Sequence, residues 1–222
     1  VLISNETTIL YGDPSTDPFD GNNDAGTLID ESQSVITSKI GSANFDIGHT
    51  FSTGGGGLAQ LGCVCTNSTK ASGITGSSKP VGDAYDVDYV AHEMGHQFGG
   101  NHTFAANTSN CGGGNGNSGT AVEPGSGVSI MAYAGICGTT NDLAPHSIAY
   151  FHTISFDEIM AYSNTGNGNN CPVTTNTTNN PPAVTVPATF TIPFTTPFTL
   201  TGSATDPDGD SLTYSWEEID AN

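Results

Sequence analysis

At 222 residues the chain can bury a sizeable core, enough for one full domain and a small second unit. Only 3 Lys or Arg stand against 22 Asp or Glu, and the formal charge of −19 repels nucleic acid phosphates and anionic membrane surfaces. That charge serves solubility first, with calcium binding or attraction of cationic substrates as functional readings, and no apolar run approaches the ~20 residues that span a bilayer.

The chain opens Val1-Leu2-Ile3-Ser4, with neither an initiator Met nor a basic leader, so any signal peptide or pro-segment is expected to have been removed already. Residues 11 to 26 read as an acidic loop, where Asp13, Asp17, Asp20 and Asp24 suit either calcium ligation or plain turn chemistry. From Thr27 the spacing of Leu28, Ile29, Val35, Ile36 and Ile40 predicts a helix of about three turns ending at Gly41. Phe45, Ile47, His49 and Phe51 alternate through Asn44 to Ser52 as in a strand, and Leu58 to Cys65 is a second strand candidate.

Asp86 or Asp88 can cap a helix with a buried stripe of Val87, Val90, Ala91, Met94 and Phe98, ended by Gly99 and Gly100. On it, His92 and His96 lie four residues apart, about 40° in azimuth and one turn in height, so both imidazoles can reach one ion. Gly99 lets the chain swing His102 in as a third ligand, the number a catalytic zinc takes while keeping one position open for water. Glu93 stands beside the metal, placed to take a proton from zinc-bound water and return it to a leaving amine. His49, His146 and His152 lie outside this set and read as surface or packing residues.

Asn107 to Gly127 is rich in Gly and Asn with almost no core residues, Ser129 to Gly135 is a compact apolar turn, and Ser147 to Tyr162 returns to helical spacing. The five cysteines form no CxxC pair, which disfavours a structural zinc and favours disulfides in a secreted protein. At most two bridges form within the chain; Cys111 with Cys137 is the preferred pair, because both flank segments expected to converge near the metal.

A first domain thus covers 1–171, and a polar, proline-flanked linker covers 172–182. Short strand-like runs at Ala183 to Val186, Phe190 to Leu200 and Ser211 to Trp216 form a β unit over 183–222, too short to close a sandwich and therefore expected to continue. Asp206, Asp208 and Asp210 alternate around a turn there and are possible calcium ligands. Glu217 falls at the twelfth position from Asp206, but the strand-like Ser211 to Trp216 between them rules out an EF-hand.

His92-Glu93-x-x-His96-x-x-Gly99-x-x-His102, followed by Ser129-Ile130-Met131-Ala132-Tyr133, resembles the zinc motif and Met-turn of the metzincin metallopeptidases. The resemblance covers roughly 1–165, and Tyr85 to His92 leads into the site as in secreted bacterial reprolysin-type, or adamalysin-like, enzymes. It implies an α+β catalytic domain: a mixed twisted sheet, an active-site helix and a helical lower subdomain, followed here by a partial β-sandwich-like unit. The C-terminal runs resemble extracellular immunoglobulin- or cadherin-like domains. The resemblance further implies a secreted zinc endopeptidase that hydrolyses peptide bonds by attack of zinc-bound water, with Glu93 as general base. It places Met131 as a hydrophobic floor beneath the zinc, and Tyr133 as a zinc ligand at rest or a donor to the oxyanion, where aromatic packing is the competing role. Protein or peptide substrates would bind as an extended strand along an edge, for which Leu58 to Val64 is the candidate. The alternative is an adhesion or matrix-binding protein whose zinc domain no longer cleaves.

Overall fold

The computed structural model describes residues 6–220, an α+β arrangement of helices and small sheets. Two compact units emerge, one reaching Pro172 and taking in the chain from Glu217, the other Val173–Trp216. Of the residues read as a linker, Pro172 falls in the first unit and 173–182 in the second.

In the first unit the opening helix α1 spans Ala25–Ile40, a turn longer than the periodicity suggested, because Asp24 caps it by accepting from Thr27 N. Its inner face buries Leu28, Ile36 and Ile40, and Ile36 and Ile40 pack with Phe45 and Ala71. Ser32 is also buried on that face, satisfied by donating to Ala71 O at 2.6 Å.

Three short strands form one sheet, β1 (Thr50–Ser52), β2 (Gly56–Ala59) and β3 (Gly73–Gly76), in the order β1-β3-β2. Strand β1 runs parallel to β3 and β2 antiparallel to it, with Leu58 opposite Ile74. The central strand is buried at all four positions, and β2 is an edge.

Both predicted strands are shorter than their alternation. Before Thr50 the chain is held by loop 65–70 instead of a ladder: Gly48 N donates to Lys70 O and Cys65 N to Asp46 O. After Gln60 the chain leaves the sheet for the end of a helix, with Gly62 N bonding His96 O and Cys63 N bonding Gln97 O.

That helix starts earlier than predicted. It runs unbroken from α2 (Asp83–Tyr85) through a π-helical stretch (Asp86–Ala91) into α3 (His92–Gln97), and neither Asp86 nor Asp88 is its cap. The expected stripe of Val87, Val90, Ala91, Met94 and Phe98 is only half-buried; the fully buried positions of α3 are His92, Glu93, Gly95 and Gln97. The motif itself is the inward face.

Residues 120–123 and Ser126 are buried, so the stretch from 107 to 127 is less empty of core than its composition implies. The last helix, α4 (Thr153–Thr165), begins later than Ser147, because 148–150 bond the apolar turn instead: Ile148 N to Val128 O, and Ile130 N to Tyr150 O. Disulfides join Cys111 to Cys137, the expected pair, and Cys65 to Cys171, which the sequence left unpaired; Cys63 is a buried free thiol.

In the second unit, β4 (Ala183–Thr185) pairs antiparallel with β5 (Ser203–Thr205). Phe190 to Leu200 forms no strand, since Pro193 and Pro197 remove ladder donors and Thr195 takes φ 62°. Ser211 to Trp216 forms none either.

Ile36→Ala, at 5% exposure, should lower unfolding free energy by about 2–4 kcal/mol. Val81→Ala, at 62%, should change it by about 0.5 kcal/mol or less, both read from urea melts.

Candidate metal centre

The first residue of α3 is His92, and His96 follows one turn later. At its C-terminal end the chain reverses through Gly99, whose φ of +93° is strained for any L side chain, and a Cβ there would press on the Tyr162 ring. Tyr162, on α4, also donates to Val64 O at 2.7 Å, so the exit path is braced from outside. His102 arrives three residues after Gly99.

The three Nε2 atoms lie 3.0–3.1 Å from one another. Each ring's other nitrogen faces a backbone carbonyl: His92 Nδ1 donates to Ile130 O and His96 Nδ1 to Gly100 O, both at 2.7 Å, and His102 Nδ1 to Asn115 O at 2.5 Å. A neutral imidazole that donates through Nδ1 leaves Nε2 as a lone pair. Three lone pairs therefore meet at one point, which repels unless a cation occupies it. Tetrahedral zinc with Zn–N bonds of about 2.0–2.1 Å separates its nitrogens by about 3.3 Å, so the donor set fits that ion closely. Among the described residues this is the one cluster of three or more His, Cys, Asp or Glu able to hold a metal.

Burial keeps the rings neutral. It holds His92 well below the ordinary imidazole range, helped by His96 and His102, and brings His96 to about 4, helped by His102; His102 is lowered mainly by burial. Glu93 is 7% exposed, and burial raises its carboxyl to about 8.

Met131 is fully buried beneath this helix, its sulfur occupying the space where a side chain at Gly95 would begin. Tyr133 stacks on Phe104 at 4.7 Å, and its ring centre is 4.5 Å from that of His102 and 5.4 Å from that of His92. Burial, then the charges of Glu93 and Tyr89, push its phenol up to about 12, so it remains a proton donor at neutral pH.

The remaining histidines have structural partners: His49 bonds Gln97 and Thr75 at 2.8 Å, His146 pairs with Asp88 at 2.6 Å, and His152 caps α4 by accepting from Ile154 N. The aspartates suggested for calcium form no ligand cluster. Asp206 accepts from the backbone of Asp208 and Asp210, and Asp208 accepts from Asn180. Asp13 and Asp17 likewise turn the chain locally, toward Ser15 and Phe19, and Asp24 is a helix cap.

Sequence reasoning missed two buried or half-buried acceptors around the third ligand. Glu158 accepts from Asn101 N at 2.8 Å and from its side chain at 2.6 Å, and Glu123 accepts from Thr103 and the apolar turn. Both lie far along the chain from His102, in segments without regular spacing or in a helix read only for its apolar face.

The chain matches the family model described as metallo-peptidase family M12B, reprolysin-like, over residues 1–163. It belongs to that family. No curated protein matches it. Membership makes the chain a zinc metallopeptidase of the metzincin type, and the His92–His96–His102 cluster is where its metal fits.

The metal-free protein carries two opposing proton linkages. The depressed imidazoles take up protons in the unfolded chain first, so their contribution is lost as pH falls from about 6.5. Glu93, raised from 4.5 to about 8, contributes stability that is present below 4.5 and lost as pH rises toward 8. In chelator-stripped protein, Glu93→Gln should therefore gain melting temperature relative to wild type between pH 4.5 and 8. A difference constant across that window would contradict the assigned burial. Gly99→Ala should weaken zinc binding by about tenfold or more, measured by chelator competition, through the displaced His102.

Proposed function

We propose that this metallopeptidase is a secreted endopeptidase that cuts protein substrates held as an extended strand, with Glu93 as general base. The observation that carries this reading is a buried carboxylate placed directly after the first of three converging imidazoles. Zinc, when bound by His92, His96 and His102, supplies a Lewis acid that lowers the pKa of water and polarises a carbonyl. The ionised form of Glu93 is favoured, against the effect of its burial, when a cation is bound, and the carboxylate then accepts the proton of the attacking water and passes it to the leaving amine. Tyr133, protonated and next to the His92 and His102 rings, donates to the developing oxyanion.

Substrate placement follows from the sheet. Strand β2 is an edge with one side unpaired by β3, and its Gly57 lies so close to Glu93 that a Cβ there would overlap the carboxylate. A peptide added along β2 would pass over the base with main-chain hydrogen bonds, which tolerate many sequences. The edge is shorter than Leu58 to Val64, because the chain departs after Gln60.

Export is supported by the two disulfides, and no helix among the described residues is long and apolar enough to cross a membrane. A non-cleaving adhesion role gives no reason for Glu93, since a structural zinc site needs no ionisable carboxylate buried beside it.

Casein cleavage should be abolished by 1,10-phenanthroline and restored by zinc. Glu93→Ala should retain zinc while losing about 10²–10⁴-fold in kcat/KM. Chelator-insensitive cleavage, or none in the zinc-loaded protein, would sink the reading. Tyr133→Phe should lower kcat by about 10²-fold with little change in KM if it donates to the oxyanion, and would leave both untouched if it only packs.

A further inference from the structure

Glu123 is 5% exposed, in a stretch whose composition promised little beyond loop. Its carboxylate accepts four hydrogen bonds. One oxygen takes Val128 N at 2.8 Å and Ser129 N at 3.0 Å; the other takes Thr103 Oγ1 at 2.5 Å and the Ser129 hydroxyl. Its backbone joins the same neighbours, Glu123 N donating to Thr103 O and Ala105 N donating to Glu123 O, both at 2.9 Å.

The donors are what give this carboxylate its meaning. Thr103 directly follows His102, the one ligand that is not carried by a helix. Val128 and Ser129 open the turn that holds Met131 under the metal and presents Ile130 O to His92 Nδ1. The two segments also meet through Thr103 N donating to Met131 O at 3.1 Å. One buried side chain therefore ties the third ligand's segment to the turn that orients the first ligand.

We propose that Glu123 is a positioning residue of the metal centre, holding His102 and the Met131 turn in one register. It acts through Thr103 and Ser129 and touches neither metal nor substrate. The inference rests on the zinc reading above. A carboxylate suits the place because its two oxygens can accept from two N–H and two O–H donors at once. A glutamine keeps the acceptor for Val128 and Ser129 but turns an amide N–H₂ toward the two hydroxyls.

The test uses the full chain as wild type, Glu123→Gln and Thr103→Val, the last removing the hydroxyl that bonds Glu123 and Ser129 at nearly constant shape. Zinc affinity is measured by competition with a chromophoric chelator, ligand geometry by the visible spectrum of the cobalt(II)-substituted protein, and stability by melting of the stripped protein. Glu123→Gln should weaken zinc about 10–100-fold and alter the cobalt spectrum at a temperature where the stripped variant is folded. Thr103→Val should shift both in the same direction by less, and it carries the test if Glu123→Gln does not fold. Lower melting with unchanged zinc affinity and an unchanged cobalt spectrum would overturn the positioning role. A wild-type chain that binds no zinc would instead overturn the zinc reading beneath it.

Discussion

Three imidazole lone pairs aimed at one point form the constraint on which the rest of this domain turns. Each ring is fixed by a carbonyl on its far side, and those carbonyls come from three places: Ile130, Gly100 and Asn115. The helix supplies two of the rings, but an irregular chain must supply the third and all three of the carbonyls. Much of the loop structure between Gly99 and Tyr133 serves this alignment, which explains why a region so poor in apolar residues is nonetheless ordered by hydrogen bonds.

The same constraint accounts for the polar character of the buried helix face. His92, Glu93 and Gln97 occupy positions that an ordinary amphipathic helix would fill with aliphatic side chains. Gln97 is satisfied by Gly48 O and His49, so even the non-catalytic member of the face connects α3 to the segment that leads into β1. Apolar packing is displaced to α1 and to the cluster of Phe104, Cys111 and Cys137, the latter against Tyr133. Burying polar groups lowers stability unless they are paired; His92 and Gln97 are, and their pairing coincides with the geometry that function needs.

The ligand set was legible in the sequence because its spacing is local: residues four apart on a helix share a face, and a glycine marks the exit. Helix α1 was legible for the same reason, and its earlier start came from a cap, Asp24, three residues before the periodicity begins at Thr27. Strands were less so. Alternation through Phe45, Ile47 and His49 records side chains that are buried or half-buried, while Phe51, which continues it, is exposed; a ladder forms only where a partner backbone lies alongside, from Thr50 on. Glu123 was hidden because its partners are Thr103, 20 residues back, and a turn 5 and 6 residues ahead, distances that match no regular period. The Cys65 to Cys171 bridge spans 106 residues and leaves no local trace.

That bridge and the one between Cys111 and Cys137 are nested, the shorter span lying wholly inside the longer. Every ligand, the base and the turn under the metal fall between Cys65 and Cys171. A single backbone cut anywhere in that interval leaves both fragments covalently joined, and a cut between Cys111 and Cys137 leaves them joined twice. For a peptidase surrounded by copies of itself, a nick in the exposed stretch 113–116 leaves the two halves of the site tethered through both bridges, although Asn115 in that stretch holds the His102 ring.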